Sequence, residues 1–125
     1  MRTEGLAAAL CRIGGVVEGE SAFRPGPGFW AGGKEIAHFD GPDAIDLRLT
    51  RAEIRARRAE LRADPRVELR AGSSDWITIT IGSPADEEFV IALAEVAAAA
   101  HRPSDGAAVP APPTGAELAR RRRFH

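Results

Sequence analysis

One cysteine and one lysine stand in a chain of 125 residues. With Cys11 alone, no intramolecular disulfide can form, so the fold cannot depend on an oxidising compartment, and multi-cysteine zinc sites are excluded. No apolar run approaches the roughly 18 to 20 residues that a membrane helix needs. The short apolar run near the N-terminus is broken by Glu4 and again by Arg12, which fits a brief amphipathic helix better than a leader. The chain therefore reads as cytoplasmic, with no membrane partner. Charge of one sign is also missing: the net charge is −1, and the body is more acidic once the arginine-rich end is set aside. That is no footprint of a specific nucleic-acid binder. No Gly-Lys-Ser/Thr follows the glycines of "GPGFWAGG", and Ser73 and Ser74 lack the strand-turn-helix setting of a nucleophile elbow.

What is present suffices for one hydrophobic core. The 44% apolar and 28% charged content is that of a globular domain, expected over residues 1–103, with a flexible Pro/Ala/Arg-rich tail over 104–125. Leu6, Leu10 and Ile13 mark a short helix whose Cys11 is expected to face the core. Val16 and Val17 open a strand, and "RPGPG" at 24–28 reads as irregular and able to rim a pocket. "FWA", the Gly32-Gly33 pair and "KEIAHFD" read as a tight hairpin, followed by a strand over 44–49. "TRAE" at 50–53 fits a capping box opening one helix that ends at "ADPR", with Ile54 and Leu61 buried and its arginines mostly solvated. Two strands, 67–71 and 75–81, flank "GSS", with Ile77, Ile79 and Ile81 on one face. Ser83 and Pro84 start the last helix, whose expected stripe is Phe89, Leu93, Val96, Ala97 and Ala100. The order predicts an α+β fold with a single mostly antiparallel sheet and helices packed on one face.

The stretch "KEIAHFDGPDAIDLRLT" carries more chemistry than a solvated sheet face needs. A three-residue loop at Gly41, Pro42 and Asp43 puts His38 across from Asp46 and sends Ala37 and Phe39 to the covered side with Ile45 and Leu47; a slip of one residue would reverse every side chain. Glu35 is then a misfit at the sheet edge, expected to tolerate truncation. On this register His38 lies beside carboxylates, with Arg48, Trp76 and Thr78 on the same face. A carboxylate beside imidazole fixes its tautomer and favours its charged form, an arrangement suited to acid or base chemistry. The same residues could equally form a hydrogen-bonded surface with a cross-strand ion pair. No helical His-x-x-x-His spacing supports a metal site, and none is expected. His101 and His125, at a helix end and the chain end, read as structural or idle.

The segments "GGKEIAHFDG", "DLRLTRAEIR", "DPRV", "SSDWITI" and "FVIALAEVAAAAH" resemble the luciferase-domain family, over about Phe29 to Arg102. The family includes bacterial luciferase family proteins and, more distantly, the fungal luciferases. The fungal enzymes oxidise a hydroxylated pyrone with molecular oxygen and use no metal or flavin, so the resemblance implies a small-molecule ligand and no cofactor. By resemblance, His38 takes the place of the histidine in the family's Glu-Ile-Ala-His segment. Asp40 and Arg48 stand where the fungal pattern has further histidines, so light emission is not implied. The expected roles are His38 as acid or base, Asp40 or Asp46 as its orienter, Arg48 as an anion or enolate clamp, Asp46 and Thr78 as substrate contacts, and Trp76 as a stacking wall. The alternative is a non-catalytic interaction module that uses the open sheet face or the arginine-rich helix. Pairing with a second copy of the chain stays open, and a tail attracting polyanions is the poorest option.

Overall fold

The computed structural model describes residues 2–72 and 74–102; the expected tail, His125 and Ser73 lie outside them. Six strands form one antiparallel sheet: β1 (Val17–Glu20), β2 (Pro27–Ala31), β3 (Lys34–Phe39), β4 (Ala44–Arg48), β5 (Val67–Leu69) and β6 (Trp76–Thr80), in the order β1-β2-β3-β4-β6-β5. The helices are α1 (Arg2–Cys11), α2 (Arg51–Ala56), α3 (Arg58–Ala63) and α4 (Pro84–Ala100). After β4 the chain passes through α2 and α3 to the edge strand β5, then returns as β6 between β5 and β4. That makes β6 near-central and pairs it on both sides. The architecture is the expected α+β. Among the described residues, no helix is long and apolar enough to cross a membrane.

The core lies on one sheet face. Ile45, Leu47, Ile77, Ile79 and Ala37 are wholly buried there, on strand positions that alternate with the polar set. Phe29 joins them, edge-on to Phe39 at 5.8 Å. α4 packs across β3 and β4, α3 against β5, and α1 against α4. Gly32 and Gly33, with φ of 58° and 79°, supply the two positive φ angles that a two-residue primed turn requires.

Several elements differ from the sequence expectation. Pro27 and Gly28 are not loop but the start of β2, paired with Glu20 and Gly19; a proline is tolerated as the first residue of a strand. Cys11 is exposed, because it lies one step of about 100° around the helix from buried Leu10. The single helix expected after Thr50 breaks at Arg57 into α2 and α3. The capping box is half formed: the Thr50 hydroxyl accepts from Glu53 N–H. The Thr50 N–H instead donates to the Asp75 carbonyl, leaving Glu53 to pair with Arg57. On α4 the buried stripe is Val90, Leu93, Ala94, Ala97 and Ala98, rotated by about one residue from the expected one, so Phe89 and Val96 flank it and Ala100 is exposed.

Ile79→Ala is expected to destabilise the domain by about 2–5 kcal/mol, read from urea denaturation. A loss below about 1 kcal/mol would place Ile79 outside a packed core.

Candidate functional site

The uncovered sheet face is organised by His38. The β3–β4 hairpin closes with Asp40 N–H donating to the Ala44 carbonyl, and His38 pairs with Asp46 as the loop length requires. β2 and β3 are in step at Gly28–His38 and Phe29–Ala37, then jump to Trp30–Glu35. Ile36 is thus an extra residue in β3, a β-bulge that shifts the alternation by one. The bulge brings Glu35 onto the same face as His38, although two residues, an even number, lie between them. Glu35 is therefore no misfit at an edge, and the expectation that it could be truncated freely is corrected.

Glu35, His38 and Asp46 form a buried chain. His38 Nδ1 lies 2.8 Å from Glu35 Oε2, and Nε2 lies 2.9 Å from Asp46 Oδ2. All three residues are at most 7% exposed. A buried carboxylate is tolerated only when paired and hydrogen-bonded, and both are. Glu35 Oε2 also accepts from the Ser21 hydroxyl and Oε1 from the Ala22 N–H, each at 2.6 Å. Asp46 Oδ1 accepts from the Thr78 hydroxyl at 2.7 Å, and Arg70 reaches Oδ2 at 3.3 Å. Gly28 makes this packing feasible. A Cβ there would fall 2.9 Å from Ser21 Cα and 3.0 Å from Glu35 Cδ.

Burial alone would lower the pKa of His38, but hydrogen bonds to Asp46 and Glu35, and the charge of both, outweigh it and raise the pKa above the usual 6.5. Burial pushes Asp46 the other way. The hydrogen bonds from His38 and Thr78, with the charges of His38 and Arg70, outweigh it and hold the carboxyl below its usual 3.8. With a carboxylate at each ring nitrogen, the surroundings favour the imidazolium, the form that donates from both nitrogens. Because the two carboxylates sit on opposite ring nitrogens, the three side chains do not converge on one point, and no metal-ligating group of three occurs among the described residues.

Aromatic side chains border the chain of charges. Trp76 lies 5.0 Å from His38 between ring centroids, and Phe23 lies 5.7 Å from His38 and 5.3 Å, edge-on, from Trp76. Phe23 is half exposed. It belongs to the turn of residues 21–26, which is tied to Glu35 through Ser21 and Ala22 and to Asp40 through Arg24 at 2.8 Å. Arg48 stands beyond Trp76, its guanidinium 5.8 Å from the ring centroid and 3.8 Å from Asp75.

Of the residues expected at the site, His38, Asp46, Thr78 and Trp76 are brought together, and Arg48 adjoins through Trp76. Asp40 is not in the cluster. It follows the end of β3, is exposed, and turns to Arg24, so the orienters of His38 are Asp46 and Glu35. Sequence reasoning missed Glu35, Ser21, Phe23 and Arg70. A signal for Glu35 existed in "EIAH", where two adjacent apolar residues between two polar ones break the period of two and announce a bulge. His101 caps α4, its Nδ1 2.8 Å from the Ala97 carbonyl.

A family model described as Luciferase domain matches residues 33–97, just over half of the chain. The chain belongs to the luciferase-domain family. No curated protein and no solved structure matches it significantly. The matched part of this luciferase domain contains Glu35, His38, Asp46, Arg48, Arg70, Trp76 and Thr78. Ser21, which bonds Glu35, Phe23, which covers His38, and Arg24, which pairs with Asp40, precede it.

Glu35→Ala is expected to cost about 3–5 kcal/mol, since it leaves a buried imidazolium half paired, whereas Asp40→Ala removes an exposed pair worth about 0–1 kcal/mol. Equal effects in urea denaturation would contradict the assignment. The pH dependence follows from the two shifts. His38, raised in the fold, contributes stability that is complete below 6.5 and lost as pH rises through its folded pKa. Asp46, lowered, contributes stability present above 3.8 and lost as pH falls through its folded pKa. The stability gap between wild type and His38→Gln should therefore narrow on going from pH 6 to strongly alkaline pH, as about one proton is released from the fold.

Proposed function

We propose that this luciferase domain binds a small molecule on the polar sheet face and that the Glu35–His38–Asp46 chain moves a proton to or from it. The observation that carries this reading is a buried imidazole held between two carboxylates, which favours its protonated form, with an indole on its flank. Such a chain stores a proton at a fixed atom, and its cost in desolvation is more than a solvated sheet face requires. His38 is a general acid in this resting form. It becomes a base only after releasing a proton. Asp46 and Glu35 hold the ring in place and balance its charge, Thr78 fixes the Asp46 rotamer, and Trp76 offers a stacking wall.

Access to His38 requires Phe23 to move. The ring covers the imidazole, yet it is half exposed and carried on a surface turn, so ligand entry displaces it toward solvent. The substrate class suggested by the family resemblance is a hydroxylated ring compound that enters as its ring anion, since a protonated His38 cannot take the O–H proton. The oxidative step of the fungal enzymes is part of the same proposal. A carbon of the ring anion would give an electron pair to molecular oxygen, the oxidant, forming a C–O bond, and His38 would supply the proton that turns the peroxide anion into a hydroperoxide.

A second reading is the non-catalytic interaction module, in which the same face docks a partner. Its support is that both ring nitrogens of His38 are already occupied and that Phe23 presents apolar surface. One titration separates the two. A hydroxylated pyrone and phenol are added to the labelled protein while the His38 ring and Trp76 indole resonances are followed. The small-molecule reading expects saturable shifts at both residues, lost in a folded His38→Gln chain, with oxygen uptake only in the wild type. No shift at either residue, together with an unfolded His38→Gln chain, would make the histidine structural.

A further inference from the structure

The arginines of the α2–α3 segment do not spread evenly over a solvated face. Arg51, Arg55 and Arg58 line a cleft together with Arg70 from the end of β5, with Trp76 and Leu69 in its wall. Among the described residues, no acidic side chain lines it. Among the described residues, Arg51, Arg55 and Arg58 have no carboxylate within ion-pair distance of their guanidiniums, although Glu53 and Arg57 pair on the same segment. Two acids that touch this region are committed elsewhere: Asp75 accepts from the Arg51 backbone N–H and faces Arg48, and Asp46 Oδ2 meets both His38 and Arg70. Four guanidiniums around one cleft repel one another, and an anion entering it relieves that repulsion while gaining charge-assisted hydrogen bonds.

We infer that this cleft is an anion subsite for a small molecule with a carboxylate or phosphate headgroup and a flat unsaturated body. The inference rests on the small-molecule reading of the His38 face and adds the charge and shape of the ligand. Two features fix its terms. The cleft encloses about 70 Å³, far below the several hundred Å³ that bury a drug-sized ligand, so it takes a headgroup and leaves the body outside. Trp76 lines the cleft and also lies 5.0 Å from His38, so a ring attached to that headgroup is directed along the indole toward His38. Arg70 makes the second link, since it lines the cleft and touches Asp46. Headgroup binding there competes with Asp46 for the guanidinium and so couples the two sites.

The test is an NMR titration that follows arginine Nε–H and Trp76 indole signals with three probes: benzoate, phenyl phosphate and neutral benzamide. Both anions should shift Arg55, Arg58, Arg70 and Trp76, and benzamide should not; the tighter anion identifies the headgroup. The double variant Arg55→Ala/Arg58→Ala, at exposed positions, should melt as the wild type does and bind the preferred anion about tenfold more weakly. Arg62→Ala on α3, outside the cleft, should bind as the wild type does. Anion shifts at the arginines that persist in Glu35→Gln support the subsite whatever the His38 chain does. Benzamide shifting Trp76 and His38 while the anions leave the arginines unmoved would overturn the subsite and leave the small-molecule reading intact. Equal weakening by Arg62→Ala, or no shift with any probe, would overturn it too.

Discussion

Two carboxylates buried beside one imidazole set the terms for this half of the molecule. Carboxyl groups at so little exposure are tolerated only with hydrogen-bond partners and a countercharge, and the surrounding structure supplies them. A bulge at Ile36 turns Glu35 inward, and Gly28 leaves room for its carboxylate. The turn at residues 21–26 lends a hydroxyl and an amide, while Thr78 and Arg70 satisfy Asp46 from across the sheet. Breaking any one member exposes the others to an unpaired charge. The geometry is therefore held jointly rather than pairwise.

The same interaction ties packing to chemistry. Because β3 must present Ala37 and Phe39 to the core while showing His38 and Glu35 on the opposite face, its alternation has to be interrupted once. Ile36 absorbs the interruption and is itself wholly buried. The aromatic border then follows. Trp76 pairs with Arg48 at the start of β6, across the strands from the histidine, and the turn that serves Glu35 carries Phe23 over both rings. A hydrophobic flap is thus tethered by the hydrogen bonds that stabilise the charged chain, so opening it and loosening that chain are linked events.

Much of the frame was legible from local rules. A three-residue loop at Gly41–Asp43, the alternation of Ile45 and Leu47 in β4 and the phase of the family's histidines set His38 opposite Asp46, because a one-residue slip would have put Ala37 and Phe39 with the polar residues. Glu35 escaped because period-two reasoning assumes an unbroken ladder, and only the adjacent Ile36 and Ala37 betrayed the bulge. Phe23, Ser21 and Arg70 escaped for another reason. They come to the site through tertiary placement of a turn and an edge strand, which no spacing in the sequence encodes. Asp40 was drawn in by its phase and by its place in the family pattern, and the closing of the hairpin takes it out to Arg24. The arginines of α2 and α3 were read as a solvated helix surface, since a break at Arg57 and a cleft against β5 are matters of packing.

The central claim is that Glu35 and Asp46 together favour the charged form of the His38 ring, and the most direct measurement is a titration of its ring nitrogens by ¹⁵N NMR. The expected result is a pKa above 6.5 that falls in Glu35→Gln, with both nitrogens protonated below that pKa and their protons slowed in exchange by burial. A pKa below 6.5, or one that Glu35→Gln leaves unchanged, would contradict it.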